Sequence, residues 1–244
     1  MPILIACEES QRVCTEFRKR GVEAYSCDLF ATSGEHPEWH IICDVLTLLH
    51  PHPTKGVNFF TQDFKEHHVN RWTAILAFPP CTDLCASGAR HFDKKRADGT
   101  QRNSIIFFCE FLRADCDFLL IENPVGIISG SYVKYHYPDL CYEYGLPIKP
   151  TQVIQPYWFG DRHRKTTCLW LRGFPELKPT NFVDPTLRTY VCKNGKVVTF
   201  DEYMVCVGKD RAKHRSKTFP GIAKAIAEQY APIILEWEGK YCVV

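Results

Sequence analysis

Thr73-Ala74-Ile75-Leu76-Ala77-Phe78-Pro79-Pro80-Cys81 is the stretch from which the fold reads. Its first six residues carry no charge and predict a strand buried on both faces, as in a parallel sheet. Two prolines end the run, because proline lacks an N–H and fixes its φ. The cysteine after them is therefore presented on a stiff turn at the edge of a sheet.

The pattern repeats on both sides. Ile3–Ala6 is an apolar run ending in Glu8-Glu9-Ser10, read as a strand entering a helix. That helix would turn Val13, Phe17 and Val22 inward and Arg12, Arg18, Lys19 and Arg20 outward, with Gly21 as its stop. Glu23–Cys27 followed by Asp28, Ile41–Cys43 followed by Asp44, and Phe118–Ile121 followed by Glu122-Asn123-Pro124 read as further strands. Ser104–Leu112 is a helix candidate between them. Strands alternating with helices predict an α/β fold with a doubly wound, mostly parallel sheet. Asp28, Asp44, Cys81 and Glu122 each stand just past a strand's C-terminus, the edge where open α/β sheets bind ligands.

After about residue 150 the pattern changes. Thr167–Leu171 reads as one more strand, and Gly173 to Asp184 reads as loop. Thr189–Lys193 and Lys196–Phe200 flank Asn194-Gly195, a hairpin pattern. A basic loop follows at Lys209–Lys217, then an amphipathic helix over Phe219–Tyr230 with Ile222, Ala223, Ile226 and Ala227 on one face. The expected organisation is one catalytic domain, residues 1–172 plus 216–244, with a small insert at 173–215.

The 244 residues suit one such domain, and a 45% hydrophobic share is enough to build its core. A formal charge of +2 excludes a general polyanion binder, so any nucleic-acid surface must be a local patch. The 13 cysteines are odd in number and form no Cys-x-x-Cys pair, which fits a reducing compartment better than a disulfide framework. No signal-peptide pattern and no run near the roughly 18 apolar residues of a membrane span are present, so a soluble intracellular protein is expected. His36, His40 and Cys43, and His50, His52, His67 and His68, lie near one another but match no zinc-site spacing, and no metal is predicted. Trp39, Trp72 and Trp158 read as core or cleft walls.

Cys81 and Glu122 together suggest a specific chemistry. A thiol of pKa about 8.5 is only a few per cent thiolate at neutral pH, and a neighbouring cation or helix N-terminus raises that share. A carboxylic acid held opposite can protonate ring nitrogen 3 of a pyrimidine, which lets the thiolate add at carbon 6. Electron density then builds at carbon 5, which can accept a methyl group.

On these motifs the chain resembles the DNA cytosine-5 methyltransferase family, in particular its small phage- and prophage-type members. The resemblance rests on Pro79-Pro80-Cys81 and Glu122-Asn123-Pro124 in order after apolar strands. Arg162-His163-Arg164 before a strand is similar to the family's paired arginines, and Thr218-Phe219-Pro220-Gly221 to its closing motif. It covers roughly residues 3–171 and 216–231. It implies a Rossmann-like, S-adenosylmethionine-dependent methyltransferase fold. It also implies methyl transfer to carbon 5 of a flipped cytosine in DNA, in the cytoplasm of a bacterial or phage-infected cell and within a restriction-modification setting.

The resemblance also implies roles. Cys81 would be the nucleophile, Glu122 the acid, and Arg164 with Arg162 would hold the base. The cofactor would lie against Ala6, Cys7, Glu8, Glu9 and Ser10, with Asp28 and Leu29 at its ribose, Asp44 and Val45 at its adenine, and Phe78 and Pro79 beside the ring. Leu84–Arg102 would be a mobile loop whose Arg90, Lys94, Lys95, Arg96 and Arg102 meet phosphates. Lys209, Arg211, Lys213 and Arg215 would extend that basic surface.

The chain departs from the family in three places. Ala6-Cys7-Glu8-Glu9-Ser10-Gln11 replaces a glycine-rich turn, leaving Glu8 or Glu9 to take the cofactor's amino group. Gly160 stands where a glutamine precedes the arginines. Residues 173–215 are far shorter than a usual recognition domain, so specificity is short, or a partner supplies it, or the substrate is smaller than duplex DNA. The alternatives are therefore carbon 5 modification of a pyrimidine in a nucleotide or RNA, and a non-catalytic nucleic-acid-binding protein on this scaffold.

Overall fold

The computed structural model describes residues 2–201 and 216–241. The strands in chain order are β1 (Ile3–Ala6), β2 (Ala24–Asp28), β3 (His40–Ile42), β4 (Val57–Phe60), β5 (Glu66–Val69), β6 (Ala74–Ala77), β7 (Phe118–Pro124), β8 (Gln152–Ile154), β9 (Thr167–Arg172), β10 (Leu187–Val191) and β11 (Val197–Asp201). The helices are α1 (Arg12–Arg18), α2 (Phe92–Ala97), α3 (Thr100–Leu112), α4 (Ser131–His136), α5 (Pro138–Tyr144) and α6 (Pro220–Tyr241).

Seven strands form one sheet in the order β3-β2-β1-β6-β7-β9-β8. All neighbours from β3 to β7 are parallel, and β9 runs antiparallel to both β7 and β8. The chain adds β2 and β3 to one side of β1, then returns to place β6 and β7 on the other. The C-terminal ends of β1 and β6 thus border the switch point, where a crevice opens in such sheets.

Alternation along the strands feeds two cores. Leu4, Ile75, Leu119 and Ile121 face Ile105, Phe108 and Phe111 of α3 together with Val133 and Leu140. Ile3, Ile5, Leu76 and Leu120 face Val13 and Phe17 of α1 and Ile222, Ile226, Tyr230 and Ile234 of α6. Strands β1 and β6 are buried at every position, as their uninterrupted apolar runs require. Each such side chain gains about 1.5–3 kcal/mol relative to exposure. Among the described residues no helix is long and apolar enough to cross a membrane.

Several boundaries differ from the sequence reading. Strand β7 continues past Ile121 because β9 supplies ladder partners, Glu122 opposite Leu169 and Pro124 opposite Thr167. Its pairing with β6 does stop at Ala77 opposite Ile121, so Glu122 stands one residue past the parallel ladder. Helix α6 runs on through Pro232 to Tyr241 rather than ending at Tyr230, because Tyr230, Ala231 and Ile234 are packed into the core on either side of the proline. The β4–β5 hairpin carries no clean alternation and was not predicted. Tertiary packing holds it: Phe59 lies 5.1 Å from Tyr25 and 5.7 Å from Trp72, ring to ring. In the segment after β9, Phe174 and Leu177 are buried in the core beneath α6. Strands β10 and β11 form their own two-stranded sheet, turning at Asn194-Gly195 with Gly195 at φ 77°.

Candidate active site

The Pro79-Pro80-Cys81 turn and the Glu122-Asn123-Pro124-Val125-Gly126 segment are tied together. The Asn123 side chain, 2% exposed, donates from Nδ2 to the Pro79 carbonyl at 3.0 Å. The Ala86 N–H donates to Val125 O at 3.0 Å, and the Ile127 N–H to Leu84 O at 2.9 Å. Gly126 allows this approach, since a Cβ there would lie 2.2 Å from Leu84 O. The loops after β6 and β7 are therefore locked in register by backbone geometry, which fixes where Cys81 stands.

Cys81 is partly exposed and lines a cavity of about 1360 Å³ at the sheet edge. That volume exceeds the roughly 300–1,000 Å³ typical of ligand clefts. Burial pushes the Cys81 thiol up, the Glu122 charge pushes it the same way, and the Lys165 ammonium opposes both. Burial, and then Glu122, also push Cys168 up to about 11. The Glu122 carboxyl thus acts electrostatically on Cys81 and Cys168, although Glu122 is not itself among the cavity-lining residues.

At the β1 end, Cys7, Glu8, Glu9 and Ser10 line the same cavity. The turn has left-handed residues without glycine, with Cys7 at φ 60° and Gln11 at φ 55°. Such conformations cost about 1–3 kcal/mol each and persist only where surroundings enforce them. Gln11 is buried, its Nε2 donating to His36 O at 2.8 Å while its Oε1 accepts from the His36 N–H at 3.2 Å. Glu8 is 3% exposed, and its carboxylate accepts the N–H groups of Val13 at 2.6 Å and Cys14 at 3.1 Å. Glu8 stays in the cavity lining, and its two carboxylate oxygens also serve the first turn of α1 by accepting those N–H groups. Burial pushes the carboxyl up to about 7 against those hydrogen bonds.

Asp28, Leu29, Asp44, Val45 and Phe78 line the cavity beside that turn. Asp28 is pushed up by burial, and its Oδ1 accepts the Phe30 N–H at 3.1 Å. Asp44 Oδ1 accepts the Leu46 N–H at 3.0 Å and starts the 3-10 turn Val45–Leu48. Two predicted contacts fall elsewhere: Ala6 is fully buried in the core, and Pro79 is buried behind the lining.

Of the paired arginines, Arg164 lines the cavity and Arg162 is exposed outside it. Asp201 at the end of β11 grips their loop. Its carboxylate accepts the Arg164 N–H at 2.6 Å and lies 3.0 Å from His163 Nδ1. Lys165 and Asp201 were both missed from sequence. A lysine beside two arginines has no distinguishing pattern, and the pairing of Asp201 with a loop 37 residues earlier is a tertiary event.

Arg90 and Lys95 line the cavity, whereas Lys94, Arg96 and Arg102 do not. The expected loop Leu84–Arg102 is folded, with a 3-10 helix over Ala86–His91, then α2 and the start of α3. Its cations serve that structure: Lys95 Nζ meets Thr82 O at 2.6 Å and Asp83 at 3.0 Å, Arg96 meets Tyr132 and Asp93 at 2.6 Å each, and Arg102 pairs with Asp139. Lys209, Arg211, Lys213 and Arg215 lie outside the described residues. Ser216, Lys217 and Thr218 return the chain to the cavity, where Lys217 Nζ donates to Ser33 Oγ at 2.9 Å.

Among the described residues no group of three or more His, Cys, Asp and Glu side chains could hold a metal ion. His40 instead bridges Ser26 Oγ at 2.8 Å and Phe30 O at 2.9 Å in the core, and His36 stacks on Trp39. No known family model matches the chain, and no curated protein matches it.

Proposed function

We propose that this chain transfers a methyl group from S-adenosylmethionine to carbon 5 of cytosine in DNA through a covalent Cys81 adduct. One observation carries the reading: the Asn123-to-Pro79 hydrogen bond and the Gly126 approach to Leu84 hold the two motif loops together over one cavity. A nucleophile so fixed loses little freedom on reacting, a contribution that reaches several kcal/mol.

The residues present fit the cofactor. The cavity is large enough for it and for one base, and Asp28 and Asp44 place carboxylates in the lining beside apolar Leu29, Val45 and Phe78. Asp28 would hold the ribose hydroxyls and Asp44 the adenine amino group. When bound, the cofactor supplies an electrophilic methyl group.

The chain's own residues do the rest. Glu122, outside the lining but within electrostatic range of Cys81, would act as the proton donor to ring nitrogen 3 of the flipped base. Cys81 Sγ adds to carbon 6, with Lys165 favouring the thiolate and Arg164 holding the base oxygen. After methylation a water molecule takes the carbon 5 proton, the carbon–sulfur bond breaks, and nitrogen 3 returns its proton to Glu122, restoring Cys81 and the acid. A base inside a duplex is stacked out of reach, so duplex DNA would have to be flipped. The short β10–β11 hairpin favours, as second reading, a smaller substrate such as a nucleotide or RNA pyrimidine.

Incubation with labelled S-adenosylmethionine and DNA should label the DNA, and DNA carrying 5-fluorocytosine should trap a Cys81 adduct. Cys81→Ser should abolish trapping entirely. Trapping that survives in Cys81→Ser would end this proposal, and labelled RNA or nucleotide with unlabelled DNA would establish the second reading.

A further inference from the structure

Three thiols, Cys7, Cys27 and Cys43, line the β1–β3 end of the cavity, and the methyl-transfer steps above use none of their sulfurs. Cys27 Sγ lies 3.8 Å from Cys43 Sγ. No metal-holding group of three converges there among the described residues, so the cluster supports pairwise sulfur chemistry. Cys27 is buried within β2, and Cys43 follows the adjacent parallel β3, partly exposed to the cavity.

We propose that Cys27 and Cys43 form an oxidisable pair that closes to a disulfide when a hydroperoxide enters the cavity and reopens with a thiol reductant. The sulfurs must close from 3.8 Å to about 2.05 Å; the register sets Cys27 opposite Ile41, two residues before Cys43, so closure also requires the segment after β3 to shift. Exposure assigns the first step to Cys43. The Cys27 S–H beside it also lowers the Cys43 thiol, whereas Cys43 and burial push Cys27 up. Cys43 sulfur attacks the peroxide: an S–O bond forms, the O–O bond breaks, and an alcohol or water leaves with the thiol proton. Cys27 sulfur then attacks that sulfenic sulfur: the S–S bond forms, the S–O bond breaks, and water leaves with the Cys27 proton. Two thiols lose two electrons in total, and the peroxide gains them.

Asp28 directly follows Cys27 and Asp44 directly follows Cys43. A bond between the cysteines would reset the spacing of the two carboxylates, a consequence for cofactor binding that rests on the function proposed above. Intracellular disulfides are usually transient and redox-sensing, which matches a reversible pair.

The test treats the reduced full chain with hydrogen peroxide, with and without S-adenosylhomocysteine, then alkylates it and maps its peptides by mass spectrometry. The expected result is a Cys27–Cys43 linked peptide dominating over other cysteine pairs, removed by dithiothreitol and absent from Cys43→Ser. S-adenosylhomocysteine at ten times its Kd should slow the linkage about tenfold. Absence of the linked peptide, or over-oxidation of Cys43 while Cys27 stays free to alkylate, overturns the proposal. An unchanged linkage rate with S-adenosylhomocysteine bound by calorimetry overturns the pair's place in the cofactor wall. No calorimetric binding would instead sink the methyltransferase reading, while the linked peptide still decides the oxidation chemistry.

Discussion

The cavity wall at β6 and β7 and the wall at β1, β2 and β3 are both tied backbone to backbone, but they differ in how far they also rely on strained and exposed residues. At β1, β2 and β3 the Glu8 N–H donates to Cys27 O at 3.1 Å and the Cys43 N–H to Asp28 O at 3.2 Å. At the first, two inter-loop N–H to carbonyl bonds and a glycine contact lock Cys81 in place, and the Asn123 amide adds one more tie. At the second, Glu8 and Gln11 hold strained residues through their side chains, and the lining includes Leu29 and Phe30, 68% and 73% exposed. The difference matches what each wall would do. A nucleophile misplaced by about 1 Å can lose two orders of magnitude in rate. A bound nucleoside tolerates an adaptable surface.

The largest expected effect comes from breaking the wall at β6 and β7. Gly126→Ala puts a methyl group 2.2 Å from the Leu84 carbonyl, so the two loops must part. Overpacking of this kind costs about 1–3 kcal/mol, and adduct trapping should fall at least about a hundredfold. Urea denaturation and trapping rates check both. A variant as stable and active as the parent would show that the loops are not held in register there.

Asn123→Ala comes next. It leaves the buried Pro79 carbonyl without that donor, which costs about 1–3 kcal/mol. Trapping should slow while S-adenosylmethionine affinity stays unchanged, measured by calorimetry. Equal losses in both would mean the two walls are one mechanical unit.

On the other wall, Asp28→Ala should weaken S-adenosylmethionine binding about tenfold, or about 1.4 kcal/mol, without a change in melting temperature. Normal binding would remove the ribose assignment.

The smallest effect is in pH dependence. Only the thiolate attacks, and burial with Glu122 pushes the Cys81 thiol above its ordinary value. The Cys81-controlled limb of the trapping rate should therefore lie on the alkaline side of the ordinary thiol value of about 8.5. Lys165→Met removes the opposing cation and should move that limb further to alkaline pH. A limb that levels off below pH 8 would mean that the wall does not raise Cys81.

The strands that build both walls were legible because interior parallel strands are apolar at every position, as Ile3–Ala6 and Ala74–Ala77 are. The faces of α1 and α6 were legible too, since Val13, Phe17, Ile222 and Ile226 recur at helical spacing. The β4–β5 hairpin was not, because its strands owe their form to Tyr25 and Trp72 from elsewhere in the chain. The site divides in the same way. Cys81 and Arg164 were readable as motif residues, while Lys165, Asp201 and the capping use of Glu8 were not.

Sequence alone determined which residues carry reactive groups and that they stand at strand ends, because apolar periodicity and proline punctuation are local properties of the chain. Only the tertiary structure decided which of those groups share a cavity. It brought Cys81 and Arg164 to the lining, turned the Glu8 carboxylate into a helix cap, and set Cys27 against Cys43. Those outcomes depend on strand order and loop packing across dozens of residues, and no local pattern encodes them.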